Sequence, residues 1–208
     1  MQYQLSHHAT GITLNCQAVL FDLDGTLVQS TSLISDILRA WAIEQQLDPI
    51  QVIDYSHGKR TQDIVVHFIE DECHSIHYEA LTQKFLEAAH QTQAIKGAIA
   101  FIQLLNAQNI PWAIVSSSEN ALIHSRMSAA GFPKPQSVVS AEMIQQGKPH
   151  PEGYLLAAEM LQVSIQHCLI FEDSSAGILA AEAAGGQLIV VGHSQKNYIC
   201  IQDFKEFN

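Results

Sequence analysis

Basic residues are scarce in this 208-residue chain: ten Lys and Arg stand against 21 Asp and Glu, a formal charge of −11. Binding to nucleic acid or to an anionic membrane needs a contiguous basic face, so both are disfavoured as partners. No apolar run approaches the roughly 20 residues that cross a bilayer. The amino terminus also lacks the basic stretch followed by an apolar run that marks a secretion signal. Cysteines number four (Cys16, Cys73, Cys168 and Cys200) and show no CxxC spacing. A disulfide framework is therefore not implied, and reduced thiols in a cytoplasmic protein are expected. The run Cys73-His74-Ser75-Ile76-His77 has metal-binding residue types but no fourth ligand at a familiar spacing, which argues against zinc. Repeats and low-complexity segments are absent.

What remains is apolar and ordered. Hydrophobic residues make up 47% of the chain, enough for a sizeable core at this length. Apolar runs at 18–21, 112–115, 137–140, 168–171 and 187–191 read as strands. They alternate with helical patterns, so βαβ units and a parallel sheet are expected. Ile99, Ile102 and Leu105 give a core-facing stripe to a helix over about 97–108, and Pro151 opens another helix at its first turn. From about Ser30 to Ile95 there is no strand signal. Helical stripes occur there at Leu33/Ile34/Ile37/Leu38/Trp41, Ile64/Val65/Phe68/Ile69 and Leu81/Phe85/Ala88/Ala89, with Thr61 as the expected N-cap of the second. His7-His8 reads as a mobile terminus. Residues 1–16 and 198–208 are unreadable beyond an edge strand at 198–201.

The sequence Asp22-Leu23-Asp24-Gly25-Thr26-Leu27 directly follows the first of these strands. Carboxylates at i and i+2 alternate onto one side. Two strand steps set their Cα atoms roughly 6.6 Å apart, far enough for one to attack a phosphorus while the other moves a proton. Three further polar clusters follow predicted strands or lie between them: Ser116-Ser117-Ser118, Gly147-Lys148-Pro149-His150-Pro151 and Glu172-Asp173. Taken singly, these are capping loops and turns.

In this order, from about Gln17 to Val191, the four clusters resemble the haloacid dehalogenase-like phosphohydrolase superfamily, whose motifs run nucleophilic Asp, Ser/Thr, Lys, acidic pair. The resemblance implies an α/β fold: a Rossmann-like parallel-sheet core (1–29 and 96–208) with a small all-helical cap inserted (30–95). It makes Asp22 the nucleophile and Asp24 the general acid and base. Ser116, the amides of Ser117 and Ser118, and Lys148 would hold the phosphate. Two carboxylates and a phosphate dianion need a cation beside them, so Mg²⁺ is the expected cofactor. By the family pattern it would be bound by the Asp22 carboxylate, the Asp24 backbone carbonyl and Asp173, with Glu172 contributing directly or through water.

The cap segment Val52-Ile53-Asp54-Tyr55-Ser56-His57-Gly58-Lys59-Arg60-Thr61 resembles that of glycerol-3-phosphatases and of bacterial sugar and hexitol phosphatases. That likeness implies a small sugar or polyol phosphate as substrate, with Lys59 and Arg60 reaching it. The competing resemblance is to a phosphosugar mutase of the β-phosphoglucomutase type, which has a His in the first cap helix and a Lys soon after the second-motif Ser. Here Ile34 and Glu119 stand at those places, which favours hydrolysis. A dehalogenase would carry an aromatic residue in place of Asp24, and a non-catalytic phosphate-binding module would have lost an acidic partner. Gln29 departs from the pattern, standing before Ser30 where many relatives carry Asp.

Overall fold

The computed structural model describes residues 2–8, 11–205 and 207. An antiparallel hairpin of β1 (Tyr3–His7) and β2 (Ile12–Cys16) leads into β3 (Ala18–Phe21). His7 is therefore not part of a mobile terminus. It is buried, bridges to Phe207 and stacks obliquely on the Phe207 ring with centroids 4.8 Å apart.

β3 is apolar at all four positions and fully buried, as a strand covered on both faces must be. It is central in a six-stranded parallel sheet whose other members are β6 (Trp112–Val115), β7 (Val138–Val139), β8 (Cys168–Glu172), β9 (Gln187–Val191) and β10 (Ile199–Ile201). The strand order is β10-β9-β8-β3-β6-β7. Alternation divides the core in two. Val19 and Phe21 pack with Phe101, Ile102 and Phe204 on one face, and Ala18 and Leu20 with Tyr154, Ala157 and Ala181 on the other. The covering helices are α5 (Ala98–Ala107), α6 (Asn120–Ala129), α7 (Glu152–Met160) and α8 (Ser175–Ala184).

Between β3 and β6 the chain forms α1 (Thr31–Glu44), α2 (Pro49–Ser56), α3 (Thr61–Phe68) and α4 (His74–Ala88). Their apolar stripes meet in a third cluster around Leu38, Trp41, Val52, Ile64, Leu81 and Phe85, which Leu122 of α6 also joins. α2 lies outside the three sequence stripes; Asp48 caps it by accepting from the Ile50 N–H at 2.8 Å, and Pro49 opens it. Thr61 is the first helical residue of α3 rather than its cap, because Arg60 holds the extended N-cap position.

A two-residue ribbon also closes the two ends of the stretch that carried no strand signal, one strand just before it and one inside it. β4 (Val28–Gln29) pairs antiparallel with β5 (Gln93–Ala94), Val28 opposite Ala94. The chain thus enters and leaves the helical insert side by side. Two-residue strands are too short to show periodicity in a sequence. No described helix is long and apolar enough to cross a membrane, and the four cysteines are free thiols.

Candidate active site

All four motif clusters meet at the carboxyl ends of the parallel strands, where ligands bind in open sheets of this kind. β3 stops at Phe21, so Asp22 and Asp24 lie in a tight loop beyond the strand, and strand alternation does not orient them. The loop is closed by the N–H groups of Gly25, donating to Val28 O at 2.9 Å, and of Leu27, donating to Leu23 O at 2.9 Å. The Asp22 N–H donates to Phe171 O at 3.0 Å, continuing the β3–β8 register so that Asp22 and Glu172 emerge as neighbours.

Lys148 joins these two. Its ammonium, 5% exposed, donates to Asp22 Oδ1 at 2.6 Å and to Glu172 Oε1 in a short contact. Burial works against the charge on Lys148, but the combined pull of Asp22 and Glu172 outweighs it and holds the ammonium well above its usual range. Glu172 is saturated. Oε1 also accepts from Tyr154 Oη at 3.1 Å, and Oε2 accepts from the N–H groups of Asp173 and Ser174, both at 2.8 Å, and from Ser174 Oγ at 3.1 Å. Ser174 in turn caps α8, accepting from the Gly177 N–H at 3.0 Å, so neither acidic residue is that helix's cap.

Asp22, Glu172 and Asp173 offer oxygens all within 4.8 Å of one another. One lysine does not balance three carboxylates. Burial, then repulsion from Glu172 and Asp24, pushes the Asp22 carboxyl up to about 7 against the pull of Lys148. Burial, then Asp22 and Glu172, raises Asp173 well above the carboxylate range. Such a cluster is short of positive charge, and oxygen donors in this number suit a hard divalent cation. Because both Glu172 oxygens are engaged, Asp22 and Asp173 are the carboxylates with capacity for one. Asp173 is held by Thr26 Oγ1, which donates to Oδ1 at 2.9 Å. Gly25, at φ +98°, passes so close that a Cβ there would overlap the Asp173 carboxylate.

On the other side of β3, Ser116 follows β6. Its Oγ accepts from the Ser118 N–H at 3.1 Å, so that amide is spent within the loop instead of facing a phosphate, while the Ser116 hydroxyl proton is not used in this bond. Ser117 Oγ donates to Gly58 O at 2.7 Å, tying the loop to the helical insert. A cavity of about 70 Å³ separates insert and sheet, lined by Asp22, Asp24, Ser116, Ser117 and Asp173 from below and by Thr31, Ile34, Ser35, His57, Lys59 and Phe85 from above.

Lys59 reaches this cavity while donating to Lys148 O at 3.1 Å. Arg60 does not line it. Its guanidinium is committed to Asp63, through Nε at 2.9 Å and Nη2 at 2.7 Å, and to Ile144 O at 3.2 Å. Sequence reasoning missed Arg126, Tyr154 and Ser30. Arg126 and Tyr154 sit among apolar residues of α6 and α7, where a pattern search reads core. Ser30 reads as an ordinary helix start.

The sequence model of the haloacid dehalogenase-like hydrolases matches residues 16–185. Hexitol phosphatase A of Escherichia coli (strain K12) is 38% identical over 181 residues, covering 86% of this chain and 84% of that protein. Glycerol-1-phosphate phosphohydrolase 2 of Saccharomyces cerevisiae is 30% identical over 188 residues, covering 86% and 75% respectively. Among solved structures, β-phosphoglucomutase from Clostridium difficile superposes with a TM-score of 0.81 over 91% of this chain and 92% of that one, at 21% identity, a likeness of fold alone.

Proposed function

The chain belongs to the haloacid dehalogenase-like hydrolases, and from that premise we propose that it hydrolyses phosphate monoesters of small polyols or sugars, with Asp22 as nucleophile and Mg²⁺ as cofactor. The observation that carries this reading is the buried Lys148 bridging Asp22 and Glu172 beside Asp173. It leaves a carboxylate nucleophile oriented, desolvated and short of one divalent charge. Asp22 and Asp173 would hold the ion, with the Asp24 carbonyl completing the set that the family pattern assigns. When bound, the ion neutralises the phosphate and lets an anionic nucleophile approach it.

Asp22 attacks the phosphorus in line; the P–O bond to the alcohol breaks as the Asp22–phosphorus bond forms. Asp24 delivers a proton to the departing oxygen, then takes one from the water that opens the aspartyl phosphate. Lys148 compensates charge on the phosphoryl oxygens, and Ser116 donates its hydroxyl to one of them. Residues 30–95 act as a cap over the 1–29 and 96–208 core, hinged at the β4–β5 ribbon. Thr31, Ser35, His57 and Lys59 line the cavity and offer partners to the hydroxyl groups of a polyol or sugar. The apolar Ile34 in the cavity wall supports hydrolysis over a mutase, which needs a second phosphate held there. Free thiols, with Cys16 and Cys168 buried, are consistent with a cytoplasmic location.

The test is inorganic phosphate release, with and without Mg²⁺, from glycerol, hexitol and hexose phosphates, with Asp22→Asn as control. Metal-dependent release lost in D22N is expected. Isomerisation without net release, or appreciable D22N turnover, would overturn the reading.

A further inference from the structure

Three donors converge on the Asp24 carboxylate. Arg126 Nη1 donates to Oδ1 at 2.7 Å, Ser30 Oγ to the same oxygen at 2.5 Å, and Ser118 Oγ to Oδ2 at 3.0 Å. Arg126 Nη1 also donates to Ser118 Oγ at 3.1 Å, closing a ring of contacts around the carboxylate. Arg126 is 1% exposed and projects from the face of α6 that otherwise buries Leu122, Ile123 and Met127. Its Nε–H is buried with no partner among the described residues.

A buried guanidinium with an unsatisfied donor is a costly way to fill an apolar helix face, where a leucine or methionine would be cheaper. Ser30 is also diverted. It occupies the N-cap of α1, where a serine ordinarily accepts from the first-turn amides, yet it makes no such bond and turns its hydroxyl to Asp24. Both residues give up local stability to the same carboxylate.

We infer that Arg126 is a positioning residue for the proton-transfer step: it fixes the orientation of the Asp24 carboxylate toward the oxygen of the departing alcohol. A serine hydroxyl rotates about its C–O bond and can exchange partners. A guanidinium is planar and rigid, and imposes one geometry on the oxygen it holds. α6 begins immediately after the 116–118 loop. Arg126 therefore ties the position of Asp24 to that of the loop expected to hold the phosphate. Misplacing a catalytic group by an ångström costs orders of magnitude in rate. This inference rests on the reading of Asp24 as general acid and base under Proposed function.

The experiment compares kcat/KM for the alkyl phosphate that the wild type hydrolyses best with kcat/KM for p-nitrophenyl phosphate, in the full chain with Mg²⁺. This ratio reports steps through loss of the first product. An alkoxide needs a proton to depart, and nitrophenolate does not. Asp24→Asn is the reference and should lose at least about 100-fold on the alkyl ester with a far smaller loss on the aryl ester. Arg126→Met should reproduce that selectivity, with KM for both esters within a few-fold of wild type. Arg126→Lys keeps the buried charge without the planar fork and is the second variant should R126M not fold; it should show the same selectivity at smaller amplitude. Equal losses on both esters in the Arg126 variants, or no loss, would overturn the inference. An equal loss in D24N would overturn the role of Asp24 itself.

Discussion

Replacing Lys148 by methionine keeps the length of the side chain and deletes its charge, leaving the buried carboxylates of Asp22 and Glu172 without their shared cation. Removing one member of a buried ion pair costs about 3–5 kcal/mol, because the remaining charge stays desolvated. For a chain of this length 1 kcal/mol corresponds to about 2–4 °C in Tm, so K148M should melt roughly 6–20 °C below wild type. The loss depends on pH. Asp22 already titrates at about 7 with Lys148 pulling it down, and without that pull it moves higher still. A carboxyl whose folded-state pKa is raised contributes stability below its unfolded value, near 4, and loses it as pH rises through the folded value. The difference between wild type and K148M should therefore be smaller at pH 5 than at pH 8, in metal-free buffer. Thermal melts followed by circular dichroism at the two pH values measure it. Equal Tm at pH 8, or a difference that widens toward pH 5, would refute the bridging role of Lys148.

Mg²⁺ should raise the Tm of the wild type more at pH 8 than at pH 5, since the ion binds the carboxylate forms of Asp22 and Asp173; a uniform effect would place the ion elsewhere. Gly25→Ala puts a Cβ into the Asp173 carboxylate at a positive φ, at a cost of about 1–3 kcal/mol. It should raise the Mg²⁺ concentration for half-maximal activity, and an unchanged metal dependence would remove Asp173 as a ligand. Lys59→Ala should raise KM for polyol phosphates more than for an aryl phosphate. Arg60→Ala, which breaks contacts to Asp63 and Ile144, should lower Tm with little change in KM; a KM effect matching that of K59A would contradict its position outside the cavity.

Much of this protein is local, and so was legible in the sequence. An apolar run of four or five residues bounded by turn residues is too short for a typical helix and reads as a buried strand, and β3, β6 and β9 lie where the runs stop and start. Asp22, Lys148 and Asp173 carry short-range signatures: each falls at a strand end or in a proline-flanked loop, and their order along the chain identifies the family. Composition alone disfavoured a polyanion as partner. Residues whose role depends on contacts across the chain carried no such mark. Arg126 meets Asp24 across 102 positions, Tyr154 serves Glu172 from within an apolar helix face, and the β4–β5 ribbon joins segments 64 residues apart through two residues on each side. Lys59 and Arg60 are adjacent and chemically alike, yet one faces the cavity and the other turns to Asp63 and Ile144. Local motifs are enough to specify which side chains the strand ends present. The packing of the helical insert against the sheet decided which cations reach it, because a side chain's neighbours across the chain are set by three-dimensional contacts that no local pattern records.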